Sequence, residues 1–114
     1  MSKDKREYER KDSLNLIDYI IKGKDGSPVS RGMGRTLNLS EKGILLETHV
    51  RMEHGQELVL TIGLKDEIVE IKGVVTHGEA CGTDGFCAGI EFKEMGPEDK
   101  EIVKKYLEAF KSST

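Results

Sequence analysis

The chain of 114 residues has no tryptophan, three tyrosines, three phenylalanines, two cysteines and two prolines, and its formal net charge is −3. Each scarcity excludes something. With few aromatic faces for bases to stack on and no cationic excess, a broad surface for DNA or RNA is not expected. Any anion site has to be local. No apolar run approaches the roughly 20 residues needed to span a bilayer, and Met1-Ser2-Lys3-Asp4-Lys5 lacks the apolar core of a secretion signal. Membrane insertion is therefore not expected, and cytoplasmic residence is. A bridge between Cys81 and Cys87 is geometrically conceivable, but a cytosolic setting favours reduced thiols. His77 and Cys81 supply neither CxxC nor HxxxH spacing, so no metal site is expected. His49, His54 and His77 have no accompanying serine or carboxylate pattern, and the chain is not read as an enzyme.

What is present is patterned. Thirty-six per cent of the residues are hydrophobic and 34% charged, enough apolar content for one modest core at this length. Residues 14–21 are rich in Ile, Leu and Tyr and break at Lys24-Asp25-Gly26-Ser27-Pro28, which predicts a first strand and a turn. Further strands are predicted at 33–39, 44–48, 58–64, 69–75 and 86–92. Leu58, Leu60, Ile62 and Leu64 alternate with other residues, as do Val69, Ile71, Gly73 and Val75, and then Phe86, Ala88, Ile90 and Phe92. Lys65-Asp66-Glu67 reads as a hairpin turn and residues 78–85 as a loop.

The period changes at Gly96-Pro97. Pro97 suits a first helical position, Glu98 and Asp99 suit the positive end of a helix, and Lys104, Lys105 and Lys111 lie towards its negative end. Ile102, Val103, Tyr106, Leu107 and Phe110 recur at helical spacing. The expected fold is mainly β: a six-stranded antiparallel barrel, closed because closure removes strand edges, with a C-terminal helix over about 97–111. Residues 1–12 carry almost only charge and are read as a flexible arm; residues 13–111 form the single domain.

Two motifs stand out. Arg6-Glu7-Tyr8-Glu9-Arg10 is an RxxxR, and Asn38-Leu39-Ser40-Glu41-Lys42-Gly43 is an NxSxxG. Two guanidinium groups can grip phosphate or a guanine edge in pairs of hydrogen bonds. Asn and Ser supply an amide and a hydroxyl, while Gly allows close backbone approach. Either motif alone has an ordinary explanation, a solvated charged arm or a turn.

In this order and separation, followed by Ala88-Gly89-Ile90-Glu91-Phe92 and a closing helix, the sequence resembles the PilZ family over nearly its whole length. The resemblance implies a PilZ-type β-barrel that binds the bacterial second messenger cyclic di-GMP, with no further cofactor. It carries Arg6, Arg10, Asn38, Ser40 and Gly43 over as ligand-binding residues. Lys5, beside the first arginine, matches a position associated in relatives with binding one ligand or a stacked pair.

The implied action is an arm that folds over the ligand and signals to a separate protein effector in motility, adhesion or biofilm control. The alternative is a PilZ-like interaction module that docks its partner without nucleotide.

Overall fold

The computed structural model describes residues 16–64 and 67–113. Among these residues six strands occur: β1 (Leu16–Lys22), β2 (Pro28–Leu39), β3 (Gly43–Thr48), β4 (Glu57–Leu64), β5 (Glu67–Cys81) and β6 (Gly85–Lys93). One helix follows, α1 (Pro97–Ser113). The strands close into a barrel in the order β1-β2-β3-β6-β5-β4, with every neighbouring pair antiparallel.

The period-two pattern explains the barrel directly. Ile17, Tyr19 and Ile21 of β1, Ile44 and Leu46 of β3, Leu58, Leu60 and Ile62 of β4, Ile71 and Val75 of β5, and Ala88, Ile90 and Phe92 of β6 all point inward and are buried. Alternate positions face outward. The β1–β2 turn is built by Asp25, whose carboxylate accepts hydrogen bonds from the Ser27 amide and hydroxyl at 3.1 and 2.7 Å. Gly26 supplies the positive φ of 86° that this turn needs.

The helix begins as its charges suggest, with Asp99 accepting a hydrogen bond from the Gly96 amide at 3.3 Å. Val103, Tyr106, Leu107 and Phe110 are buried in the same core as the strands, and α1 packs on β4 and β5. Lys105 meets Glu67 at 3.2 Å beside this contact. Burial raises the Tyr106 phenol above its ordinary pKa, so it stays neutral within the core.

The structure differs from the sequence expectation in four places. β2 starts at Pro28 rather than near Met33; a proline opening a strand needs no ladder donor. β5 runs on through residues 78–81, reducing the expected loop to a short turn at Gly82, whose φ is 67°. α1 extends to Ser113. Cys81 and Cys87 are joined as a disulfide where free thiols were expected; the β5–β6 hairpin brings their Cα atoms to 5.7 Å, within bridging range. The expected arm (residues 1–12), and the centre of the expected turn at Lys65-Asp66, lie outside the described residues.

Candidate functional site

The NxSxxG segment joins β2 to β3, and its own hydrogen bonds shape the turn. The Ser40 amide donates to the Gly43 carbonyl at 2.9 Å. The Ser40 hydroxyl oxygen accepts from the amides of Lys42 and Gly43, both at 3.2 Å. Asn38 accepts from the Leu39 amide at 2.9 Å through its side-chain oxygen, leaving its NH2 group for other partners.

A bulge decides where Asn38 points. In the β2–β3 ladder Thr36 opposes Leu46 and Asn38 opposes Leu45, with Leu37 as the extra residue. Thr36 is buried at 3% exposure, whereas the next two residues, Leu37 and Asn38, are both exposed. Without the extra residue Asn38 would share the inward parity of Thr36. The bulge turns it onto the outer wall. A second irregularity lies in β5 between Val75 and His77, where Thr76 and His77 are consecutively exposed. The Thr76 hydroxyl donates to the Gly89 carbonyl at 3.1 Å. Two bulged strands thus flank a floor made by β3 and β6.

Between them lies an open depression of about 300 Å³ lined by Asn38, Ser40, Lys42, Gly43, Thr76, Gly89 and Glu91, among others. Its charge is mixed. The hydrogen bond from Lys93 and then the charge of Lys93 hold the Glu91 carboxyl below its ordinary pKa, with a smaller contribution from Lys42. The Lys93–Glu91 pair measures 2.7 Å, so Glu91 stays ionised but partly neutralised at the rim.

Gly43 is a glycine for a reason other than turn conformation. A Cβ there would collide with the backbone carbonyl of Ile90 on β6. The missing side chain lets β3 and β6 approach at the edge of the depression.

Of the sequence-predicted site residues, the structure brings Asn38, Ser40 and Gly43 together in this depression. Arg6, Arg10 and Lys5 lie outside the described residues. Thr76, Gly89 and Glu91 also line it and were not anticipated, because only the barrel register places β5 and β6 beside the turn. Lys42 is inside the motif but is not one of its signature positions. Among the described residues no cluster of His, Cys, Asp and Glu could hold a metal ion, and no helix is long and apolar enough to cross a membrane.

The closed barrel thus carries on its outer wall an open depression floored by two strands and bordered by a hydrogen-bonded turn. The chain belongs to the PilZ domain family, whose match covers residues 4–109. No curated protein matches. Among solved structures, the fold is similar to MrkH of K. pneumonia in its apo state, at TM-score 0.62 and 17% identity, over 84% of this chain and 46% of that one. It is similar to the Bacillus subtilis inhibitor of motility MotI/DgrA, at TM-score 0.63 and 18% identity, over 87% and 48%. It is also similar to the PilZ domain of Escherichia coli YcgR, solved with c-di-GMP, at TM-score 0.61 and 10% identity, over 85% and 82%. The chain spans a little under half the length of the MrkH and MotI chains. At these identities the likeness is one of fold.

Proposed function

We propose that this chain is a receptor for cyclic di-GMP that signals to a protein effector. The observation that carries the reading is the convergence of Asn38, Ser40 and Gly43 on one outward depression in a chain that also has Arg6 and Arg10 within the PilZ match. A cyclic dinucleotide presents two guanine edges and two phosphates. The NH2 of Asn38 suits a guanine acceptor, the Ser40 hydroxyl can exchange its long 3.4 Å bond to the Gly43 carbonyl for a base or phosphate acceptor, and Lys42 adds positive charge.

A depression of about 300 Å³ is at the small end of ligand pockets. In this reading it seats one end of the dinucleotide, and residues 1–12 change conformation to place Arg6 and Arg10 on the rest. Lys5 then adds a cation that favours a stacked pair of ligands, which a stoichiometry of one ligand per chain would contradict. Among the similar structures, MotI is an inhibitor of motility and MrkH a c-di-GMP-dependent transcription regulatory factor, which supports a regulatory role. In this reading the chain acts through another protein, in motility, adhesion or biofilm control, in the cytoplasm.

Amide chemical shifts locate the site. On adding cyclic di-GMP, the amides of Asn38, Ser40, Gly43 and Gly89 are expected to move while those around Gly26, on the β1–β2 turn, stay fixed. Shifts confined elsewhere on the barrel would remove this site. Ser40→Ala is expected to weaken binding by about tenfold, the equivalent of roughly 1.4 kcal/mol, in a calorimetric titration. An unchanged affinity would take Ser40 out of the contact set.

A further inference from the structure

The outward face that carries the depression continues beyond Gly89. Along β6 the outward positions are Glu91, Gly89 and Cys87, alternating with buried Ala88, Ile90 and Phe92. Cys87 is therefore the next outward position on the strand that floors the site. In the ladder it opposes Glu47 of β3 on one side and Glu79 of β5 on the other.

Its sulfur is bonded to that of Cys81, six positions earlier, and Cys81 opposes Gly85. The bridge thus runs diagonally across the outer surface of the β5–β6 hairpin. It does not pass through the core. The ladder from Lys72 opposite Lys93 to Cys81 opposite Gly85 already aligns the hairpin, and a bridge closing so short a loop restricts the unfolded chain little.

What it ties down is the tip. Cβ atoms built on Gly82 and Gly85 would lie 3.9 and 3.6 Å from the Glu47 side chain, and Glu47 in turn faces the Arg35 guanidinium at 3.9 Å. The tip, β3 and β6 are held against each other two residues from Gly89. The floor there is tied across to β5, since the Thr76 hydroxyl donates to the Gly89 carbonyl at 3.1 Å. Access differs between the two sulfurs: Cys87 is 9% exposed, whereas Cys81 is only half-buried.

We propose that Cys81 and Cys87 are a thiol–disulfide exchange site that sets how tightly the adjacent face holds its ligand, the bridged form being the stronger binder. This rests on the receptor reading above. A thiolate of a dithiol reductant attacks the accessible Cys81 sulfur, the S–S bond breaks, and Cys87 leaves as thiolate. The second thiolate of the reductant then attacks its own sulfur in the mixed disulfide and releases Cys81. Two electrons pass to the protein, the reductant becomes a cyclic disulfide, and its two protons end on the cysteines. A low-molecular-weight disulfide reverses the exchange and is itself reduced to two thiols. Opening the bridge leaves both ladders of β6 in place but frees the tip, whose added motion reaches Gly89 two residues beyond Cys87, so the floor is less pre-organised.

The test uses the full chain treated under native conditions with either dithiothreitol or glutathione disulfide. Free thiols are counted by iodoacetamide labelling and mass measurement, and each form is titrated with cyclic di-GMP beside Cys81→Ser/Cys87→Ser. The expected result is two labelled cysteines in the reduced protein with unchanged circular dichroism, and several-fold weaker binding than in the oxidised form. The double variant is expected to bind as the reduced form does after either treatment. Thiols that appear only on denaturation, equal or tighter binding by the reduced form, or a redox response in the double variant would each overturn the proposal. Folded protein that binds in neither state would remove the receptor reading and this coupling with it, whereas equal binding in both states removes the coupling alone.

Discussion

Replacing Arg6 and Arg10 together with alanine is expected to abolish measurable cyclic di-GMP binding while leaving the thermal midpoint of the ligand-free protein unchanged. A guanidinium holding a phosphate or a guanine edge through two hydrogen bonds contributes roughly 1–3 kcal/mol. Each single variant should therefore lose from about fivefold to about a hundredfold in affinity. The two arginines are proposed to grip one ligand, so their losses need not add. The barrel itself should be indifferent, because its buried cluster runs from Ile17 to Phe110 and is filled by strand and helix residues. A lowered midpoint would show that the arginines serve the fold, and unchanged affinity in both single variants would remove the arm from the mechanism.

Gly43→Ala is expected to act in the opposite way, through the fold before the ligand. The added methyl would collide with the Ile90 carbonyl, and backbone on β6 cannot rotate aside as a side chain does. Relief requires β3 to move from β6 along a ladder that pairs Gly43 with Glu91 and Thr48 with Phe86. Such overpacking costs roughly 1–3 kcal/mol, and each kcal/mol lowers the midpoint of a domain near this size by roughly 4–8 °C. Gly96→Ala is the control, since a Cβ there meets nothing within 4 Å. Calorimetric melting without ligand checks both. A Gly43→Ala midpoint equal to that of the parent protein would show that the strands have room there, and that the motif glycine is needed only beside the ligand.

Most of the barrel is visible in the sequence because its core alternates. Leu58, Leu60 and Ile62, or Ala88, Ile90 and Phe92, repeat every second residue and are buried as that period requires. The helix is equally legible from Pro97 and the acidic first turn. The bulges are different. By simple alternation Asn38 shares a face with Thr36, and only the pairing of Thr36 with Leu46 and Asn38 with Leu45 reveals the extra residue that turns it outward. A bulge is a property of two strands, and no local signal in Leu37 announces it.

The same holds for Thr76, Gly89 and Glu91, which meet the turn through the β3–β6 and β5–β6 ladders. Gly78 through Cys81 look like loop because glycine and polar residues interrupt the period. They are nevertheless strand, since Gly78, Glu79, Ala80 and Cys81 pair with Ala88, Cys87, Phe86 and Gly85 of β6, and the absent side chain of Gly78 leaves room for the Met52 carbonyl. The disulfide follows from that extension, as a longer hairpin pairs Cys81 with Gly85 and leaves Cys87 diagonally across the ladder, with the two Cα atoms 5.7 Å apart.

The most direct test of the receptor reading is calorimetric titration of the purified chain with cyclic di-GMP, run beside GMP and cyclic di-AMP. The account predicts saturable binding of cyclic di-GMP alone, since guanine-edge contacts at Asn38 and the arginines discriminate against adenine and a single nucleotide engages only part of the site. Well-folded protein that shows no heat of binding would contradict it and leave the barrel as a nucleotide-independent docking module, whereas equal binding of cyclic di-AMP would contradict the guanine-edge contacts at Asn38 and the arginines.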